Sequence, residues 1–341
     1  MKAAGSKMKK NLFPLLLLAG LALLPLVLES NYFLHLMILF LLWVVIGSSW
    51  NLLAGFTGQV SFGHAAFFGV GAYTAGLLFH HLQISPWWGM ALGGVFAFLV
   101  GLPFGAICFP LRGAYFALAS LALGEGIRHI ATIAESFTGG MVGIMIMPTF
   151  VSKVPYYYIT LFLASLSVLS IQLIMRSKPG YYFISIREDQ DAAASLGVNT
   201  TLYKNVSLAI SAFWTGMAGA LYMNYMGFID PHVVFSLHDY SVMAILVAIV
   251  GGVGTVYGPT VGAFIMVAFQ ELFRTGFFGL FAFLGKATGV AAVTALGDAV
   301  KKAHVLGFGI LVIVVILYLP NGVVGDWEKI KRNVFRIHPA K

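Results

Sequence analysis

Several runs of apolar residues in this sequence are long enough to cross a membrane, and this feature constrains the fold more than any other. Residues 12–28 and 159–175 are nearly continuous examples. An α-helix needs about 20 such residues to cross about 30 Å of hydrocarbon, and backbone that faces lipid must satisfy its hydrogen bonds internally. Only 9% of the residues are charged, against about 25% in a soluble domain. The sequence therefore predicts an all-α, polytopic integral-membrane helical bundle.

The apolar runs define ten predicted membrane-embedded segments, which lie at 12–28, 33–54, 62–82, 87–109, 114–134, 156–175, 205–227, 240–257, 259–280 and 304–320. The third and eighth are rich in glycine, so we expect broken or re-entrant helices there. We therefore expect about 8–10 transmembrane segments, in a single membrane domain at 1–341. The Gly/Ala-rich stretch 281–303 is too weakly apolar to span and is expected to form an external loop, with room for an amphipathic helix.

Lysine and arginine mark one side of the predicted bundle. Four lysines precede the first segment, five cations follow the last, and four more lie in the central stretch 176–204. Cytoplasmic loops carry such an excess, and the clustering of charge between spans argues against a nucleic-acid partner. The expected regions are a cytoplasmic N-terminus (1–11), a first half (12–175), a cytoplasmic loop (176–204), a second half (205–320) and a cytoplasmic tail (321–341).

Residues with catalytic or metal-binding chemistry are scattered. The sequence has no Walker P-loop, and no Ser/His/Asp or Cys/His set stands out. His80 and His81 are adjacent in sequence and therefore do not share one face of a helix. We expect no catalytic residues, no cofactor and no metal site, so the chain is not predicted to be an enzyme.

Two glycine-rich segments, 55–76 and 251–262, follow apolar runs in corresponding halves of the chain. Glycine interruptions at corresponding places indicate a transporter's central pathway. For a single glycine, close helix packing is the simpler explanation, and a lone intramembrane histidine most often bonds a carbonyl. For the pair of segments we favour a translocation path. The residues expected to line it are Gly58, Gln59, Ser61, Gly63, His64 and Gly254.

Two pairs of opposite charges recur at a spacing of three residues, Glu125 with Arg128 and Glu271 with Arg274. Residues three apart share a helix face and can form an ion pair. Charges in a membrane bundle are costly unless they are paired or hydrated. Both pairs are therefore predicted to be structural, and the alternative is a gate or docking contact near the outer mouth.

The stretch 176–204 is the longest strongly charged interruption between apolar runs. Its pattern of acid-Ala-Ala, three residues and then Gly resembles the coupling loop of ATP-binding-cassette permeases, a short helix that enters a cleft of a cytoplasmic ATPase. We expect one helix over 183–197, ended by a glycine, with the two alanines facing that cleft. The residues expected to couple to the ATPase are Arg187, Glu188, Asp191, Ala192, Ala193 and Gly197.

Further motifs extend this resemblance to a particular family. The motifs are GFTGQVSFGH (55–64), LRGAYFAL (111–118) with GEGIR (124–128), TGG (138–140), IREDQDAA (186–193), GGVGT (251–255) and LPNG (319–322). Together these blocks resemble the LivM group of permeases, subunits of the branched-chain amino-acid importers of bacteria and archaea. The likeness covers about residues 35–325. Two departures, Met141-Val142-Gly143 after the TGG block and a long 281–303 loop, affect the outer face and with it the expected substrate.

The resemblance implies one half of a permease pair in the cell inner membrane, importing branched-chain amino acids. Its implied partners are a second homologous permease of LivH type, two cytoplasmic ATPases of LivG and LivF type and an extracytoplasmic substrate-binding protein. A urea, amide or other amino-acid permease of the same group is the nearest alternative. An ion-gradient-driven secondary transporter is the alternative of another class, and it would need unpaired membrane carboxylates or ion-coordinating carbonyls.

Overall fold

The structure is a computed structural model, which describes residues 18–26, 30–111, 113–272 and 304–326. Helix α1 covers 18–26. The remaining helices are α2 (Asn31–Asn51), α3 (His64–Leu82), α4 (Pro86–Cys108), α5 (Ala114–Ile133), α6 (Glu135–Thr138), α7 (Lys153–Met175), α8 (Lys178–Glu188), α9 (Gln190–Ser195), α10 (Thr200–Met226), α11 (Pro231–Val234), α12 (Met243–Gly251), α13 (Gly258–Glu271), α14 (His304–Tyr318) and α15 (Gly322–Gly325). Two short strands, β1 (Ile144–Met145) and β2 (Phe228–Ile229), form an antiparallel pair. The predicted all-α membrane fold is confirmed.

Six helical stretches among the described residues are long and apolar enough to cross a membrane, and they are Asn31–Phe56, His64–Leu82, Pro86–Cys108, Lys153–Met175, Thr200–Met226 and Pro231–Gly251. The first five match predicted segments. The segment predicted at 114–134 is helical as α5 but is not one of the six. Of the segment predicted at 259–280, only the part up to residue 272 is described, and 281–303 lies outside the described residues.

The eighth predicted segment, 240–257, is wrong at both ends. The structure places this span at Pro231–Gly251, entered through α11 and a π-helical stretch at Leu237–Val242. Asp230 explains the earlier start, because its carboxylate accepts hydrogen bonds from the amides of the first helical turn. Three polar residues, Ser236, His238 and Asp239, therefore lie within this span.

Helices α2 and α10 form the centre of the bundle, while α4 and α7 lie at its edge. In the most apolar window of α2, 78% of residues are buried, and in α10 72%, compared with 33% in both α4 and α7. Exposed apolar side chains on the edge helices, such as Ile107 and Phe162, suit contact with lipid. The central position of α2 matters because the candidate site begins at its end.

Helices α3, α4 and α10 pack backbone against backbone, because glycines occupy the points of contact. A β-carbon on Gly71 of α3 would overlap the carbonyl oxygen of Gly216 in α10, and one on Gly219 would overlap that of Phe68. A β-carbon on Gly93 of α4 would lie 2.8 Å from the carbonyl oxygen of Gly71. Small residues allow this approach in membranes, where association depends on close van der Waals contact. These glycines are packing positions.

Candidate functional site

The candidate site begins where the first central helix ends. Helix α2 continues as a π-helical stretch, Leu52–Phe56, and the chain then lacks regular structure until α3 starts at His64. Such π-helical stretches are frequent at functional sites. The sequence predicted a broken or re-entrant third segment at 62–82, and this is wrong, because α3 is an unbroken helix. The irregular stretch 57–63 lies between two spans, and we call it the first break. The backbone groups that a continuous helix would pair must find other partners.

Side chains from three helical elements provide those partners. The indole nitrogen of Trp50 donates to the carbonyl oxygen of Ser61 at 2.8 Å. The amide of Phe62 donates to the Ser120 hydroxyl at 2.9 Å, and the Ser241 hydroxyl donates to the carbonyl of Phe62 at 2.6 Å. Irregular backbone within a bundle is tolerated when protein groups satisfy it in this way. These hydrogen bonds therefore hold the break in a defined conformation and connect it to α2, α5 and the span that contains Ser241.

His64 lies at the inner end of the break, fully buried. Its Nε2 atom is 2.7 Å from the Ser211 hydroxyl, which itself donates to the carbonyl of Ser49 at 2.7 Å. Because the Ser211 proton is committed to Ser49, Nε2 of His64 is the donor to Ser211. Thr215 adds a bond to the Ser49 hydroxyl at 3.1 Å. The predicted path residue His64 thus belongs to a closed hydroxyl cluster between α2, α3 and α10.

The second glycine-rich break lies beside the first. Helix α12 ends at Gly251, and both Gly252 and Gly254 have positive φ angles, of 129° and 75°. The side chain of Asn51 joins the two breaks. Its Oδ1 accepts from the amide of Gly254 and its Nδ2 donates to the carbonyl of Thr255, both at 2.8 Å. The sequence did not mark Asn51, because its partners Gly254 and Thr255 lie more than 200 positions away.

Arg187 reaches the same place from helix α8. Its Nη1 donates to the carbonyl oxygen of Gly55 at 3.0 Å. A β-carbon on Gly254 would lie 2.7 Å from that nitrogen, and one on Gly58 would lie 3.1 Å from Cγ of Arg187. The structure therefore brings together one predicted coupling residue and two predicted path residues. We name the contact of Asn51, Gly55, Arg187 and Gly254 the Arg187 junction.

Helix α8 lies against the π-helical stretch through an apolar side. Phe183 is fully buried and forms one cluster with Leu52, Phe56 and Ile171. On the polar side, Arg187 contacts the carboxylate of Glu188 at 2.6 Å. The helix is therefore attached to the bundle by both apolar packing and a charged hydrogen bond.

The expected single helix over 183–197 is wrong, because the structure has two helices that divide at Asp189. Asp189 has an extended backbone, with φ −156° and ψ 110°. Its carboxylate accepts from the amides of Asp191 and Ala192, at 2.9 and 3.0 Å. An aspartate that caps the next helix in this way favours a fresh helix start over continuation. The chain direction consequently changes between α8 and α9.

Gly197 follows the end of α9, as expected for a terminating glycine. Its φ is 86°, its amide donates to the carbonyl of Ala194 at 2.9 Å, and the Val198 amide donates to that of Ala193 at 3.1 Å. These two bonds form a Schellman motif, the usual glycine-based end of a helix. The short helix thus has defined caps at both ends.

Only part of the predicted coupling set faces outward. Ala192 and Asp191 are exposed, and the neighbouring Leu196 is 86% exposed. Ala193 is only 2% exposed because it packs against the chain itself. Of the two alanines expected to face a partner, Ala192 alone lies on the surface, and Leu196 is the large apolar side chain beside it.

Lys204 fastens the second short helix to the bundle. The sequence places it among the cations of the loop 176–204, but its side chain is buried, at only 1% exposed. Its ammonium group donates to the side-chain oxygen of Gln190 in α9 and lies 5.9 Å from the ring centre of Phe109. A cation held over an aromatic face is stabilised by the ring quadrupole. The apolar neighbours of Lys204 lie far away in sequence, so its burial was not visible there.

The predicted ion pairs have different outcomes. The Glu125 carboxylate contacts the guanidinium of Arg128, which also lies 3.3 Å from Nδ1 of His232. Glu271 accepts a hydrogen bond from the Tyr32 hydroxyl. Its expected partner, Arg274, lies outside the described residues.

The sequence is similar to those of known transport permeases. The permease protein LivM of the high-affinity branched-chain amino acid transport system of Salmonella typhimurium is 28% identical over 79% of this chain and 70% of the relative. The LivH permease protein of the same system and organism is 22% identical over 84% of this chain and 94% of the relative. A probable LivM permease of Methanocaldococcus jannaschii is 23% identical over 69% and 67%. No solved structure gives a significant match.

The family comparison covers most of the described helices. A family model described as branched-chain amino acid transport system, permease component, matches residues 32–316. That range includes both glycine-rich breaks, the Arg187 junction and helices α8 and α9. The relatives are transport permeases and not enzymes. The chain therefore belongs to the family of permease components of branched-chain amino acid transport systems.

Proposed function

We propose that the chain imports branched-chain amino acids as one of two membrane subunits of an ATP-binding-cassette importer in the cell inner membrane. The printed function of the LivM and LivH relatives supports this substrate class. That relatives of both kinds match this one chain supports a pair of homologous permeases. Two cytoplasmic ATPases and an extracytoplasmic binding protein would complete the importer.

We place both termini, residues 1–11 and 321–341, in the cytoplasm together with the loop 176–204. Two contacts at opposite ends of helix α2 support this topology. Lys153 donates to the carbonyl of Asn31, where α2 starts, and Arg187 donates to that of Gly55, beyond its end. The loop with Lys153 and the loop with Arg187 therefore belong to opposite faces of the membrane, and the positive loop is the cytoplasmic one.

In this proposal helices α8 and α9 carry movement of the ATPases into the bundle. The observation that supports it best is their double attachment, by Arg187 to Gly55 and by Lys204 to Gln190. A short helix joined to the core by such contacts moves the core when it is displaced. Its outward surface, at Ala192 and Leu196, remains available to a partner.

The translocation path in this proposal follows the first break and its neighbour. It comprises Gly58, Gln59, Ser61, Gly63, His64 and Gly254. Ser61 and His64 are buried here, whereas Gly58 is exposed beside Arg187. The state described is thus closed at the buried residues. A path lined by small groups and a few hydroxyls suits a permease whose binding protein provides selectivity.

The coupling role is tested by replacing Leu196 with glutamate. The side chain is 86% exposed, so the chain should fold normally, but a buried carboxylate would weaken an ATPase contact. We expect co-purification of the ATPase subunits to fall by about tenfold or more, the effect of losing about 1.4 kcal/mol. Met147→Glu is the control, because Met147 is 87% exposed in the loop at the other face. Equal co-purification of both variants would refute coupling through α9.

A further inference from the structure

We propose that Arg187 is the positioning residue of an inner gate, which holds the glycine-rich breaks of the two halves together and releases them when α8 moves. This inference rests on the proposed coupling role of α8 and α9. It adds the place where their movement enters the bundle. The residues concerned are those of the Arg187 junction.

Arg187 makes a charged hydrogen bond at the end of a helix. Carbonyl groups at the end of a helix lack partners within the helix, and a cation is favoured there by the helix dipole. The Gly55 carbonyl is in this position at the end of the π-helical stretch, and the guanidinium of Arg187 satisfies it. The bond joins two segments 132 positions apart in sequence. Arg187 thus holds the end of the first break to α8.

Gly55 and Gly254 bring the two backbones close together at the junction. A β-carbon on Gly55 would overlap Oδ1 of Asn51 and would lie 2.6 Å from the amide nitrogen of Gly254. A β-carbon on Gly254 would displace the guanidinium of Arg187. The two backbones therefore approach each other closely, and the amide side chain of Asn51 and the guanidinium of Arg187 lie against them. Larger residues would keep the halves apart at this point.

The Arg187 junction is partly exposed to water, so its contacts can open. The side chain of Arg187 is 36% exposed, and its ionic partner Glu188 is more exposed still, at 66%. Water can replace the Gly55 carbonyl as a partner for a guanidinium in this position. Since the junction contains no large apolar side chain, separation of the two breaks exposes mainly polar backbone. Separation of Arg187 and the first break from Gly254 would therefore break mainly polar contacts, while Phe183 of α8 stays packed on Leu52 and Phe56.

Buried residues of the proposed path lie behind the junction. Gly58 contacts Arg187, and the chain then leads inward to Ser61 and His64, which are buried. Ser61 is held by Trp50 of α2. Once the junction separates, Ser61 is the nearest buried residue of the proposed path. Its accessibility is therefore the direct measure of the gate.

Thiol labelling of the complete importer tests the proposal. Cys108, the one cysteine of the sequence, is first replaced by alanine, and Ser61→Cys then provides a single thiol of nearly native size. A membrane-impermeant cationic methanethiosulfonate is added to inside-out vesicles without nucleotide. We expect Arg187→Gln to increase the labelling rate at position 61 by at least about tenfold, because one charged hydrogen bond that holds the closed state is lost.

Two matched controls separate the gate from general effects of charge. Glu188→Gln removes the exposed ion pair but leaves the bond between Arg187 and Gly55, and Lys178→Gln removes an exposed cation from the first turn of α8. Both should label at the rate of the parent. Arg187→Lys keeps the charge without the planar fork, and it should give an intermediate rate. If Arg187→Gln does not accumulate, Arg187→Lys decides the question against the same controls.

The outcomes distinguish this inference from the proposed function. If Arg187→Gln labels no faster than Glu188→Gln while the ATPases still co-purify, the gate is wrong and the coupling surface stands. Faster labelling with uptake at the parental level would also refute the gate, because an open inner path would then have no consequence for transport. We expect faster labelling, retained ATP hydrolysis and loss of most uptake.

Discussion

Glycines make tight contacts in several regions of the molecule, and two of these regions differ in what lies against the glycine. Where α3, α4 and α10 meet, Gly71 and Gly216 bring one helix backbone against another. At the Arg187 junction, Gly55 and Gly254 bring backbone against the polar side chains of Asn51 and Arg187. The first kind of contact is permanent packing, whereas the second consists of hydrogen bonds that can exchange with water. The same residue type therefore supports rigid packing in one place and, in the proposed gate, movement in the other.

The largest effect is expected from Gly71→Ala in the packed region. The new β-carbon would overlap the carbonyl oxygen of Gly216, and no flexible side chain can yield. Overpacking of this kind costs about 3 kcal/mol. Thermal unfolding of the purified complex should show a clear loss of stability. Gly126→Ala is the control, since a β-carbon there has no atom within 4 Å in the described part of the chain. Equal stability of both variants would contradict permanent packing.

An intermediate effect is expected from Gly254→Ala at the junction. The residue has a φ of 75°, which costs a residue with a β-carbon about 1–2 kcal/mol. Its β-carbon would also push against the guanidinium of Arg187. We expect the protein to accumulate normally but to lose about tenfold in uptake at equal membrane abundance. A loss of accumulation as severe as that of Gly71→Ala would mean that the junction is packing too.

The smallest effect is expected from His64→Gln. Glutamine can still donate a hydrogen bond to the Ser211 hydroxyl, so the buried cluster remains partnered. Uptake should stay within about twofold of the parent, consistent with a change of well under 1 kcal/mol. Complete loss of uptake would assign protonation chemistry to His64, and an ion-gradient-driven mechanism would then become the better explanation.

The contrast also shows what the sequence could reveal. Long apolar runs were sufficient to predict an all-α membrane bundle, because lipid leaves the backbone few alternatives. The glycine-rich segments were recognised as paired breaks, but the sequence did not distinguish Gly71, which packs, from Gly254, which lies against Arg187. That distinction depends on which atoms lie opposite each glycine, and these come from segments far away in the chain.

The contacts made by polar residues were the hardest to predict from the sequence. Asn51 and Lys204 had no local pattern to mark them, since their partners Gly254 and Gln190 are brought near only by folding. The division of the predicted 183–197 helix at Asp189 was missed for another reason. An aspartate within a helical pattern is ambiguous, and its role as a cap depends on backbone angles that composition does not determine.

The packing of bare backbone between α3 and α10 has a consequence for the entropy of assembly. A glycine has no rotamers to lose on burial, so Gly71 and Gly216 come together without freezing any side chain. Helices in lipid lack a hydrophobic drive to associate, and close contact has to supply the attraction. The contact between α3 and α10 thus forms without loss of side-chain entropy, and close van der Waals packing holds it together.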